Sequence, residues 1–297
     1  MTEKTEKAEC IYRKYIKCLL DEKSILHVSF IGIDETFDAK RQKTKPYLPL
    51  ILMMELQEFF SEMNRFLENN SKDDIKEVYL EGFADANVFA VGAVIDAIKK
   101  ILETSMDKHT LYRKAMIFSE IGQNALLEIK SCPKKVTAII DGFALGGGLE
   151  LAMACHARMV KSINTVFGLP ETTLGLIPGW GGTWWWRFIP KLNQEKFIEY
   201  MKTGASFNAR EALSINLIDS TVDIDEMETP AIVNQSKPYS RSSVAMIKDV
   251  IGITNKIDTG TNLALSIERE NFAVAMTSPD AMEGITAFLE KRKANFE

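Results

Sequence analysis

Apolar residues recur at Leu52, Leu56, Phe59, Met63 and Phe66, the three-and-four spacing of one helix face, and Asn69-Asn70-Ser71 ends that run. Shorter apolar stretches at 25–33, 77–80, 136–140, 158–161 and 165–168 read as strands, and a helix over 110–129 stops before Pro133. Residues 8–22, with Ile11, Tyr15 and Leu19 on one face, predict a short amphipathic helix. Residues 34–46, carrying Lys40, Arg41, Lys43 and Lys45, predict a loop. Strands alternating with helices imply a parallel sheet. From Pro238 onward the strand pattern ceases, and 244–251, 263–276 and 279–293 all read as helices. The organisation expected is a helical extension at 1–24, an α/β core at 25–235 and a helical region at 236–297.

The chemistry concentrates where the strand at 136–140 runs through Asp141-Gly142-Phe143-Ala144-Leu145 into Gly146-Gly147-Gly148, then into the helical pattern of Leu149, Leu151, Met153 and Ala154. Three consecutive glycines clear side chains from a turn, so backbone N–H groups can approach a ligand closely. The helix behind them points its positive end at the same spot. Glu150 lies two residues past the last glycine. Glu171 follows Gly168-Leu169-Pro170 and precedes a second glycine turn, Pro178-Gly179-Trp180-Gly181-Gly182-Thr183. Backbone donors for a developing oxyanion, with two acids for proton traffic, suit chemistry beside a carbonyl. On spacing alone the same glycines also suit tight helix–strand packing, and the acids suit a solvated surface.

This arrangement resembles the crotonase superfamily, above all its enoyl-CoA hydratases. The resemblance covers residues 75–223 and returns at Glu283-Gly284-Ile285-Thr286-Ala287-Phe288-Leu289-Glu290-Lys291-Arg292-Lys293. It implies a spiral of ββα units with a C-terminal helical trimerisation region. It implies an oxyanion hole made by the backbone N–H groups of Gly147 and Ala93, the latter in Asn87-Val88-Phe89-Ala90-Val91-Gly92-Ala93-Val94-Ile95. Val94 stands where the family usually has Asp. It implies that Glu171 delivers a proton to Cα of a trans-2-enoyl thioester while Glu150 orients and activates water at Cβ. It further implies substrate or CoA contacts at Gly92, Gly146, Gly148, Pro178, Gly179, Trp180, Phe272 and Lys291. No cofactor is expected beyond the coenzyme A of the substrate. An acyl-carrier protein is the alternative carrier, because the usual front stretch is replaced by the basic loop at 37–49. The expected assembly is a homotrimer or homohexamer. Double-bond isomerisation, thioester hydrolysis and a non-catalytic acyl-CoA-binding scaffold remain open as alternatives. Of Trp184-Trp185-Trp186, one or two indoles should be core and another could wall the acyl tunnel.

Composition narrows the classes around this reading. The 297 residues are 46% hydrophobic and 26% charged, which excludes a wholly disordered chain. A net charge of −5 gives no overall attraction to nucleic acid or an anionic membrane surface. No apolar run reaches the ~20 residues that span a bilayer, and the mixed-charge start lacks a signal-peptide core, so the expected setting is cytoplasmic. Four cysteines show no disulfide framework. Three histidines have no metal-site spacing, so no metal is expected, and His156 is read as a packing residue. No Gly-x-Ser-x-Gly elbow occurs.

Overall fold

The computed structural model describes residues 10–31, 37–38, 43–44, 46–70, 74–83, 86–221, 237–256 and 260–297. The chain opens with strands β1 (Cys10–Tyr12), β2 (Ile16–Leu20) and β3 (Ile25–Phe30), then a short hairpin of β4 (Phe37–Asp38) and β5 (Lys43–Thr44). Helix α1 (Leu50–Asn69) leads to β6 (Glu77–Phe83), and α2 (Ile95–Glu103) and α3 (Lys108–Lys130) lead to β7 (Lys135–Ile140). There follow β8 (Phe143–Leu145), α4 (Gly147–Ala154), β9 (Ala157–Val160), β10 (Val166–Gly168), α5 (Gln194–Thr203), β11 (Phe207–Asn208), α6 (Ala209–Ser214) and β12 (Ser220–Thr221). Helices α7 (Arg241–Lys256), α8 (Thr261–Met276) and α9 (Pro279–Leu289) complete the described chain.

The large sheet runs β1-β2-β3-β6-β7-β9-β12, parallel from β3 onward. A small sheet, β11-β10-β8, lies beside it. At Asp141-Gly142 the chain leaves the large sheet at β7 and enters the small one at β8, and then turns into α4. Gly142 has φ +61, and a Cβ there would stand 2.4 Å from the Asn87 carbonyl oxygen, so the crossing requires glycine. Strands β9 and β10 repeat the move. This is the ββα spiral expected from the resemblance. Five consecutive residues of β7, Val136 to Ile140, are buried, as in a strand covered on both faces.

The stripe on α1 buries Leu52, Leu56, Phe59 and Met63 as expected, but it continues to Leu67 while Phe66 is exposed. The helix expected over 8–22 is replaced by strands. Ile16 and Cys18 are buried with Lys17 between them, and β2 pairs antiparallel with β3 along its whole length. The spacing of Ile11, Tyr15 and Leu19 satisfied a helix, while the two-residue alternation of Ile16-Lys17-Cys18 satisfied a strand. The open edge of β3 decides between them, because pairing there satisfies a row of backbone donors and acceptors. Glu55 of α1 fixes the turn by accepting the Tyr15 and Ile16 N–H groups at 2.9 and 3.2 Å.

The C-terminal helices lie against the core. Helix α8 packs along α3, and α9 packs on the 170–174 segment. A Cβ at Gly175 would sit 2.2 Å from Asp280 backbone atoms, and one at Gly284 would sit 2.4 Å from those of Leu174. The tail thereby fixes the stretch that carries Glu171. All three indoles of Trp184, Trp185 and Trp186 are buried, and none borders the cavity beside Gly147 and Glu150. They follow a tight turn into a short 3-10 helix, Trp185–Phe188. Trp185 Nε1 donates to the Trp180 carbonyl, Trp186 Nε1 donates to the Thr183 carbonyl, and Arg187 lies over the Trp184 and Trp186 rings. His156 Nδ1 accepts the Val136 N–H at 3.0 Å, a packing role. Cys132 and Cys155 are buried thiols. Among the described residues no helix is long and apolar enough to cross a membrane, and no group of three candidate ligands could hold a metal ion.

Candidate active site

The turn after β8 is built by its glycines. Gly146, at φ +51, donates its N–H to the Gly168 carbonyl of β10 at 2.9 Å, and α4 starts at the next residue. The Gly147 N–H is one of the helix's first amides and has no acceptor in the turn before it. Gly148 is a packing residue: a Cβ there would meet the Ala90 carbonyl oxygen at 2.3 Å. That contact brings the 90–93 segment against the start of α4, reinforced by Leu145 N–H donating to the Ala90 carbonyl at 3.0 Å. Gly92, at φ +82, places its Cα where a Cβ would lie 3.0 Å from the Gly147 nitrogen. Among the described residues neither the Ala93 N–H nor the Gly147 N–H has a protein acceptor. Val94, in place of the family's Asp, is the residue before α2 and makes no side-chain cap.

Both amides and both acids line one small cavity of about 70 Å³, whose walls include Ala93, Gly147, Glu150, Glu171, Trp180 and Phe272. Gly92, Gly146 and Gly179 also border it. Glu150 is buried, and its Oε1 accepts the Trp180 and Gly182 N–H groups at 2.8 and 2.7 Å. Among the described residues no donor reaches its Oε2. Glu171 opens the 3-10 segment Pro170–Leu174. As a residue it is only partly buried, but its Oε2 is fully buried without a protein partner. Its Oε1 lies 3.0 Å from the position a Cβ on Gly146 would take, so glycine there makes room for the carboxyl.

Burial, then the charges of Glu171 and Glu268, hold the Glu150 carboxyl well above the usual range. Burial pushes Glu171 up to about 8. Two interacting acids raised in this way take up and release protons as a coupled pair rather than one by one.

Trp180 fills a slot between α3 and the start of α4, where Cβ atoms on Gly122 and Gly147 would stand 2.2 and 2.4 Å from its ring. It stacks on Phe118 (5.8 Å, 27°), which stacks on Phe272 (6.0 Å, 15°). Phe272, expected as a CoA contact, is therefore a buried cavity wall. Lys291 is not brought to this cavity; it borders a separate basic groove with Lys237, Arg292 and Lys293. Pro178 stands behind the turn, 2.5 Å from where a Cβ on Gly182 would fall, and does not border the cavity. Lys40 and Lys45 lie outside the described residues. Two participants escaped the sequence reading, Phe118 and the buried acid Glu268. The second had a signal: a carboxylate in step with Leu265 and Phe272 on the core face of α8.

The fold and this cavity define a crotonase-type protein. The sequence profile of the family described as enoyl-CoA hydratase/isomerase matches residues 56–297, and the chain belongs to that family. Among curated relatives, a crotonyl-CoA hydratase of Syntrophomonas wolfei is 37% identical over 186 residues, covering 62% of this chain and 69% of the relative. A short-chain-enoyl-CoA hydratase of Clostridium acetobutylicum is 31% identical over 227 residues, covering 76% and 81%. Among solved structures, an enoyl-CoA hydratase from Mycobacterium avium subsp. paratuberculosis superposes with a TM-score of 0.63 at 22% identity, covering 95% of this chain and 98% of the other. A carnitinyl-CoA dehydratase from Mycobacterium thermoresistibile gives 0.68 at 16% identity, covering 93% and 90%. At those identities the structures speak for the fold alone.

Proposed function

We propose that this chain is an enoyl-CoA hydratase, a lyase that adds water to trans-2-enoyl-CoA to give 3-hydroxyacyl-CoA. The observation that carries the reading is the convergence of two unpaired amides and two buried acids on one cavity. Glu150, anchored through Oε1, presents Oε2 to a water and takes its proton as the oxygen bonds to Cβ. The electron pair of the alkene shifts to the thioester oxygen, held by the Ala93 and Gly147 N–H groups. Protonated Glu171 then delivers its proton to Cα, and the thioester carbonyl re-forms. Proton exchange between the acids and solvent resets the pair. Each backbone donor of this kind contributes about 3–4 kcal/mol to the barrier, and each positioned acid or base about 10²–10⁴-fold in rate.

The test is loss of the enoyl absorbance of crotonyl-CoA with appearance of 3-hydroxybutyryl-CoA. A shifted double bond or released free CoA as the main product would reject hydration in favour of isomerisation or hydrolysis. No reaction with any acyl-CoA, saturated or unsaturated, would favour the non-catalytic scaffold.

The acyl group belongs to the same proposal. A cavity of about 70 Å³, walled by the Trp180–Phe118–Phe272 stack, favours short chains, which agrees with the names of the two curated relatives. Crotonyl-CoA is expected to be preferred over decenoyl-CoA by at least about tenfold in kcat/KM, within reach of the 1–3 kcal/mol per methylene that an apolar pocket discriminates. Trp180→Leu should narrow that ratio. An unchanged ratio would remove Trp180 from the acyl wall. Exposed Val274, Met282 and Phe288 on α8 and α9 support the expected trimer or hexamer, which light scattering tests. The buried thiols of Cys132 and Cys155 support a reducing, cytoplasmic setting.

A further inference from the structure

A third acid belongs to the machinery without touching the cavity. Glu268, on α8, is completely buried, and both of its oxygens are occupied. Oε1 accepts the Gly181 N–H at 2.6 Å and Gln123 Nε2 at 3.3 Å, while Oε2 accepts the Thr183 N–H at 2.8 Å and Thr183 Oγ1 at 2.6 Å. Set beside the bonds to Glu150, this gives a pattern. Four consecutive amides of the glycine turn alternate between two carboxylates: Trp180 and Gly182 bind Glu150, and Gly181 and Thr183 bind Glu268. At the centre of this turn Gly181 holds φ +108, and a Cβ there would lie 2.0 Å from Trp185 Nε1, so the turn requires glycine at that position.

We propose that Glu268 is a positioning residue for Glu150: from α8 it locks the 180–183 turn, and the turn's other two amides hold Glu150 Oε1 so that Oε2 faces the reacting water. This deepens the hydratase reading and rests on it. An ordinary core acid with no link to the chemistry would be replaceable by any residue that fills the space. This one satisfies two buried amides that nothing else among the described residues accepts, and left bare those amides would be free to turn away. The ionisable groups facing it are Glu150 from α4 and Glu171 from the 170–174 segment. Helix α3 offers the neutral Gln123, its Glu120 being paired with Arg269. On α9, Asp280 is engaged by Ser240 and Ser242. Burial pushes Glu268 itself up to about 7; once ionised, its charge raises both Glu150 and Glu171, so its removal should move the alkaline limb of the pH–rate profile toward lower pH.

Glu268→Gln tests this. A glutamine can accept only one of the two amides and turns its own NH₂ against the other. The expected result is kcat on crotonyl-CoA lowered about 10²-fold with KM within about threefold, the alkaline pH limb displaced downward, and partial rescue of kcat by Glu268→Asp. The protonated-carboxyl infrared band, assigned through Glu150→Gln and Glu171→Gln, should titrate at lower pH in Glu268→Gln than in the parent protein. That measurement needs no turnover, so it stands or falls separately from the hydratase reading. A folded Glu268→Gln protein with an unmoved carboxyl titration, or with unchanged kcat and alkaline limb and only a lower Tm, would overturn the proposal.

Discussion

Glu171→Gln is expected to lower kcat on crotonyl-CoA by about 10³-fold while KM changes little, the signature of a group that acts in the transition state. The carboxyl and the amide have nearly the same shape, so the cavity and its other walls should persist. What disappears is the proton for Cα. The same substitution has an opposite effect on stability, because burial holds the folded-state value near 8 against an ordinary 4.5. A carboxyl raised in this way contributes its stability below about pH 4.5 and loses it as pH rises through about 8. The glutamine has no charge to bury. Its Tm should therefore exceed that of the parent by about 5 °C at pH 8, with the gap closing toward pH 5. Thermal scans at the two pH values check this, and a variant less stable at pH 8 would show that Glu171 is ionised and well solvated there.

Gly92→Ala should be the most damaging substitution that removes no functional group. Its methyl would lie 3.0 Å from the Gly147 nitrogen and 3.1 Å from the Leu145 carbonyl oxygen, at a φ of +82 that alanine rarely adopts. Three ångströms from a donor nitrogen is the shell in which an acceptor oxygen sits. The variant should lose about 10²–10³-fold in kcat/KM by blocking the oxyanion position, and about 1–3 kcal/mol of stability through backbone strain. Gly252→Ala is the contrast. That glycine lies inside α7 with nothing within 4 Å of a Cβ, so alanine should raise stability by about 1 kcal/mol and leave activity alone. Urea melts and initial rates on the two proteins separate the effects. Equal activity in both would remove Gly92 from the site.

What was readable in the chain was what depends on local pattern. The strand at 136–140, the helix behind the glycines and the C-terminal helices announce themselves by period, and Glu150 and Glu171 stand beside glycines that contacts make obligatory. What was not readable depends on partners distant in sequence. Residues 10–20 satisfied two periods, and the edge of β3 chose between them. Trp184, Trp185 and Trp186 were expected on different faces of a regular helix, but the tight turn buries all three. Glu268 was hidden because its meaning lies in amides 85 and 87 residues away. Phe272 and Lys291 were carried together by the resemblance, yet the fold sends one to the cavity wall and the other to a separate groove.

The proposed chemistry requires the Ala93 and Gly147 amides to receive a thioester oxygen while Glu150 and Glu171 flank its alkene carbons. A crystal structure of the protein bound to acetoacetyl-CoA would locate that oxygen. It should lie within about 2.7–3.1 Å of both nitrogens, with both carboxyls over Cα and Cβ. A thioester oxygen bound elsewhere, or two acids on the same side and out of reach of those carbons, would contradict the hydratase mechanism.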